Sequence, residues 1–107
     1  SQFGDLCMPK SIEGADVCWF SFPLTTWKDD RKKLVPYLEK HGIETRSMFS
    51  GVITKHPAYR YSKFRISGKL EHANAILENS FWITCHPRLK KSDLDYIIDT
   101  FKNYYKC

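Results

Sequence analysis

The sequence predicts an α/β (α+β) domain, a two-layer sandwich in which helices cover one face of a small sheet. Short apolar or aromatic runs at residues 17–22 and 81–85, with a third segment at 45–49, have the length of strands. Three other stretches repeat apolar residues at helical spacing. The two patterns interleave within 107 residues, enough for one domain with a real core.

Residues 1–16 hold Pro9 and Gly14 and lack periodic apolar positions, so they read as a lead-in to a domain at 17–107. The run Val17-Cys18-Trp19-Phe20-Ser21-Phe22 reads as a strand buried on both faces and stopped by Pro23. Asp29 or Asp30 can cap a helix whose apolar stripe is Leu34, Val35 and Leu38. Pro36 removes a backbone donor within it, which predicts a late start or a bend. Gly42 fits the left-handed residue just past that helix. A strand at 45–49 follows at once and carries Arg46 on a regular element.

Residues 50–68 show no period and contain Gly51, Pro57 and Gly68. Irregular segments of this length are usually functional or disordered, and Tyr59, Tyr61 and Phe64 argue for order. Leu70, Ala73, Ile76 and Leu77 mark a short helix, and residues 81–85 a strand that ends before Pro87. Ser92 with Asp95 is a variant capping box, opening a helix with Leu94, Ile97, Ile98 and Phe101 on one face. Trp19, Phe20, Phe22 and Trp82 give the sheet more apolar surface than one helical layer covers, which predicts a partner against the second face.

The net charge of +5 and pI near 9.1 suit nucleic acid, an acidic membrane or a phosphorylated small molecule equally. No apolar run approaches the ~20 residues of a membrane span, and residues 1–10 do not resemble a signal peptide. Ser1 in place of a start methionine leads us to expect a piece of a longer protein. Cys7, Cys18, Cys85 and Cys107 are scattered without a Cys-x-x-Cys pair, which argues against a metal site and for free thiols in a reducing cytoplasm. A Cys7–Cys18 bridge stays open.

Charge distribution is more telling. No acid lies between Glu44 and Glu71, while that interval holds Arg46, Lys55, Arg60, Lys63, Arg65, Lys69 and His56. Such a loop suits a phosphate or diphosphate. Its aromatics also permit base stacking, although no RNA-binding signature accompanies them. His41 reads as a surface residue at a helix carboxyl end, and His72 and His86 have no partner at ligand spacing. No nucleophile–base set, phosphate loop or carboxylate pair is recognisable, so no catalytic residue is expected in this chain alone.

These landmarks together resemble the carboxy-terminal small domain of the DegT/DnrJ/EryC1/StrS sugar aminotransferase family. The resemblance rests on Trp19-Phe20-Ser21-Phe22-Pro23-Leu24, Leu34-Val35, Leu38-Glu39, Gly42-Ile43 and Thr45-Arg46. It continues through Phe49, Gly51, Pro57, Tyr59, Arg65, Gly68, Asn79, Phe81-Trp82-Ile83, Pro87, Leu89 and Leu94. The aromatic Phe81-Trp82-Ile83, with Phe64-Arg65-Ile66-Ser67-Gly68, is more similar to the lipopolysaccharide branch that includes CDP-4-keto-6-deoxyglucose 3-dehydrase. The chain departs from that pattern at Val52, which replaces an asparagine amide, and at Lys55-His56, which stand where Arg-Gln is expected.

The resemblance implies the small domain of an aspartate aminotransferase fold. It implies a full-length PLP- or PMP-dependent enzyme that dehydrates or transaminates nucleotide-linked 4-keto-6-deoxy sugars for O-antigen. The cofactor contacts and any iron–sulfur cysteines would lie in a missing amino-terminal large domain, leaving these residues inactive alone. Arg46, His56 and Arg65 become the expected substrate-binding residues, with no metal, nucleic acid or membrane partner and a homodimer as the full-length state. The residues alone leave a second reading, an autonomous basic RNA-binding or protein-interaction module.

Overall fold

The computed structural model describes residue 3 and residues 6–106. Strand β1 (Ser21–Thr25) leads to helix α1 (Arg31–Lys40) and strand β2 (Thr45–Ser47). Two single 3-10 turns, Ile53–Lys55 and Pro57–Tyr59, interrupt the long loop. Helix α2 (Glu71–Asn79) runs directly into strand β3 (Ser80–Thr84), and helix α3 (Lys91–Lys106) ends the described chain. The sheet is three-stranded in the order β1-β3-β2, with both neighbours antiparallel to β3.

Register determines which residues reach the core. Phe22 faces Ile83 and Leu24 faces Phe81, so alternate side chains of β1 and β3 share one face. Onto that face α1 brings Leu34 and Leu38, the connection to β2 brings Ile43, and α3 brings Phe101. Each such buried side chain contributes about 1.5–3 kcal/mol. Leu6, from the stretch read as a lead-in, joins this core, and Cys7 next to it forms a bridge with Thr25 on the outer edge of β1.

The first strand lies later than the apolar run suggested. It starts at Ser21 and passes through Pro23, while Val17, Trp19 and Phe20 are exposed. Pairing with β3 decides the placement, and alternation along the paired strand puts Phe22 and Leu24 on the covered face. Pro23 is tolerated because β1 is an edge strand. The run is thus not buried on both faces.

Helix α1 begins at Arg31, not late, and runs through Pro36. The lost bond affects the carbonyl of Lys32, and both residues are exposed, so water can serve that carbonyl. Asp30 occupies the N-cap, but its side chain makes no cap hydrogen bond. At the other end Gly42 takes φ +75°. The Ile43 N–H donates to the Leu38 carbonyl and the Gly42 N–H to that of Glu39, each at 3.0 Å, which is a Schellman closure. Strand β2 is shorter than expected, since Phe49 adopts φ +45°.

Helix α3 opens one residue before the proposed capping box. The Lys90 N–H donates to Asp93 Oδ2 at 2.8 Å, whereas Asp95 pairs with Lys91 Nζ at 2.7 Å. Cys7, Cys18 and Cys85 are free thiols, so no Cys7–Cys18 bridge forms, and Cys107 lies outside the described residues. Among the described residues no helix is long and apolar enough to cross a membrane.

Candidate functional site

The face of the sheet opposite the core is built on the row Pro23, Trp82, Arg46, which the register aligns across the three strands. Phe20 and Phe49 flank Trp82, with ring centroids 5.1 Å and 5.2 Å from it. Both phenylalanines are about three-quarters exposed, at 75% and 76%. The buried indole N–H of Trp82 meets no acceptor among the described residues. Helices α1 and α3 pack on the other side. Of the four aromatics expected on the uncovered face, Phe20 and Trp82 lie in this group, whereas Phe22 packs against the core and Trp19 against Phe22.

Arg46 sits at the margin of this group. A recess of about 280 Å³ is lined by Phe20, Ser21, Glu44, Arg46, Trp82, Ile83 and Thr84. Arg46 Nη2 donates to Glu44 Oε1 at 2.6 Å, with side chains 71% and 67% exposed. The absence of acids between Glu44 and Glu71 therefore does not leave this arginine unpaired. Its partner bounds the interval, and residues two apart in extended chain point the same way.

The basic loop forms a second recess of about 530 Å³, whose lining includes Thr54, Tyr59, Ser62, Lys63, Phe64, Arg65 and Ser67, with no carboxylate. Tyr59, Tyr61 and Phe64 are exposed, so their rings do not order the loop from within. Val52 is buried instead, and Gly51 lies so close to Leu77 that an added Cβ would be 2.1 Å from Leu77 Cδ1. That contact holds the loop against α2.

Arg65 lines the loop recess, Arg46 lines the other, and His56 lines neither. His56 Nδ1 accepts from the Ala58 N–H at 3.3 Å, closing the turn at Pro57, and its ring lies 6.0 Å from that of Tyr59. His86 repeats this arrangement before Pro87, accepting from the Arg88 N–H at 3.1 Å. His41 donates from Nδ1 to the Tyr37 carbonyl at 2.8 Å, as a residue at a helix carboxyl end should.

Arg31 had given no signal beyond its charge. Its Nη1 donates to the Leu77 carbonyl at 3.1 Å and its Nη2 to Ser47 Oγ at 3.3 Å. It thereby ties the end of α2 to the strand that carries Arg46. No feature of a local sequence window reveals such a contact.

A pyridoxal cofactor needs a lysine or a substitute base at its reactive carbon and a partner for its ring nitrogen. The Arg46 recess has a carboxylate but no lysine, and the loop recess has Lys63 but no carboxylate. Neither fits the cofactor as a whole.

A model of the DegT/DnrJ/EryC1/StrS aminotransferase family matches residues 3–102. The chain is 33% identical over 101 residues to the lipopolysaccharide biosynthesis protein RfbH of Salmonella typhimurium, covering 92% of this chain and 23% of that protein. It is 30% identical over 102 residues to dTDP-4-dehydro-2,6-dideoxy-D-glucose 3-dehydratase of Saccharopolyspora spinosa, covering 92% and 22% respectively. Among solved structures, the E. coli GDP-4-keto-6-deoxy-D-mannose-3-dehydratase with bound hydrated PLP aligns with a TM-score of 0.76. That alignment covers 94% of this chain and 27% of the other at 23% identity, which is a likeness of fold. The chain spans less than a quarter of the length of both curated relatives.

Proposed function

The chain belongs to the DegT/DnrJ/EryC1/StrS aminotransferase family, and from that premise we propose that it is the small carboxy-terminal domain of a nucleotide-sugar 3-dehydrase. The complete enzyme would remove the 3-hydroxyl of a nucleotide-linked 4-keto-6-deoxy sugar in lipopolysaccharide O-antigen biosynthesis, with transamination as the second outcome. Similarity over 92% of the chain to a lipopolysaccharide protein and to a 3-dehydratase carries this reading.

The cofactor, PLP or PMP, would supply the electron sink that loosens the sugar bond next to the keto carbon. Its binding groups would belong to a large amino-terminal domain outside this chain, which spans less than a quarter of its relatives' length. This domain closes the substrate side, with Arg46, His56 and Arg65 as contacts. The aromatic face around Trp82 provides a surface for the remainder of the enzyme, which we propose to be a cytoplasmic homodimer.

The test is conversion of CDP-, GDP- or dTDP-linked 4-keto-6-deoxyhexose by the complete polypeptide loaded with PMP. Mass spectrometry should detect loss of the 3-oxygen, or gain of an amine if transamination prevails. A polypeptide that converts none of these substrates while binding the cofactor overturns the assignment. The 107 residues alone should neither bind PLP at one stoichiometric site nor turn over.

A further inference from the structure

We infer that the loop recess holds the nucleoside diphosphate end of the substrate, and that Arg46 takes sugar hydroxyls and not phosphate. The inference rests on the proposed substrate class and assigns its parts to different residues.

The two arginines differ in electrostatic setting. At Arg46 the carboxylate of Glu44 lies 2.6 Å away, so a phosphate placed there meets a local charge near zero. An exposed pair of this kind is worth at most about 1 kcal/mol and can open. Opening it still leaves the acid beside the anion. Arginine with carboxylate offers both donors and acceptors, and here they adjoin the exposed ring of Phe20 and the hydroxyls of Ser21 and Thr84. That combination matches a neutral sugar, whose hydroxyls need donors and acceptors and whose C–H face needs an apolar wall.

The loop recess has the opposite character. Lys63 and Arg65 line it, no carboxylate does, and neither cation forms an ion pair among the described residues. Thr54, Ser62 and Ser67 add hydroxyl donors. Two unopposed cations suit a diphosphate, with the guanidinium giving paired donors and the lysine a point charge. Tyr59 and Phe64 line the same recess while 44% and 50% exposed, leaving ring faces on which a base can stack.

Titration of the complete polypeptide with thymidine diphosphate, inorganic pyrophosphate and a uridine octamer, followed by calorimetry, tests this. Thymidine diphosphate should saturate and bind more tightly than pyrophosphate. Arg65→Ala and Lys63→Ala should each weaken it about tenfold or more. Phe64→Ala should weaken the nucleotide but not pyrophosphate. Arg46→Ala should change the diphosphate affinity less than twofold, as should Lys10→Ala.

Failure to saturate overturns the inference, as does equal affinity for pyrophosphate or an Arg46→Ala loss as large as that of Arg65→Ala. Tighter binding of the octamer than of the nucleotide overturns it in favour of RNA. The first three results leave the enzyme assignment standing, because that assignment depends on conversion of the keto-sugar by the complete polypeptide.

Discussion

Tyr104, near the end of α3, donates its phenol to Asp30 Oδ1 at 2.5 Å, joining the last helix to the cap position of the first. Tyr105 donates to the other carboxylate oxygen at 3.0 Å. The acid that caps α1 by position thus serves as a tertiary clasp. Removing its carboxylate leaves two partly buried phenols without that acceptor, and bonds to charged groups are worth about 1.5–3 kcal/mol. Asp30→Ala should therefore cost about 2–3 kcal/mol, and Asp30→Asn, which keeps an acceptor, nearer 1 kcal/mol. The urea midpoint should fall with little change in slope.

The same clasp predicts an alkaline limit to stability. Burial first, then the hydrogen bond and the charge of Asp30, push the Tyr104 phenol well above its ordinary value of 10.0. A raised pKa means that the folded chain keeps a proton which the unfolded chain releases. Its contribution is complete below pH 10.0 and is lost as pH rises from there through the folded value. Tyrosinate absorbance should show a phenol that ionises well above pH 10.0. In Tyr104→Phe both that late step and its share of the alkaline decline in stability should disappear.

Two glycines separate backbone strain from collision. At Gly42 the φ is +75° and an added Cβ would meet nothing within 4 Å. Gly42→Ala should thus cost only the left-handed penalty, about 1–2 kcal/mol. At Gly51 a similar φ of +61° is combined with the approach to Leu77. Gly51→Ala should cost more, and Leu77→Ala should relieve part of the excess. A double-mutant cycle should give a coupling of about 1 kcal/mol. Purely additive losses would mean that the loop does not lean on α2.

What was legible in the sequence depended on how local its cause was. Gly42 is legible because the Schellman closure involves only neighbouring residues. The stripe Leu34, Val35 and Leu38 is legible because one helix face must be buried. The first strand was misplaced because its limits are set by pairing with β3, which no window around Pro23 contains. Asp29 or Asp30 was expected to cap α1; Asp30 holds the position without a cap bond and instead meets Tyr104, a residue 74 positions away. Within the site, the basic loop was evident from its missing acids, and the Glu44–Arg46 pair was equally present as a spacing of two on extended chain. The separation of Arg46 and Arg65 into two recesses needed the folded loop.

That separation gives the last prediction a distinct kinetic form. In the complete enzyme, Arg65→Ala and Arg46→Ala should each lower kcat/KM by roughly ten- to a hundredfold, the cost of a lost charged contact. Arg65 would hold a part of the substrate that does not react, and such uniform binding is felt in KM. Arg46 would touch the sugar itself, where misplacement reaches the reacting bonds, so its loss should lower kcat as well. Lys10→Ala, outside both recesses, should leave both constants unchanged. Glu44→Gln should resemble Arg46→Ala if the pair binds hydroxyls together, because it removes the acceptor charge and releases the guanidinium. Steady-state kinetics on variants with normal circular dichroism would settle the matter. Wild-type constants in both arginine variants would remove Arg46 and Arg65 from the site while leaving the family membership intact.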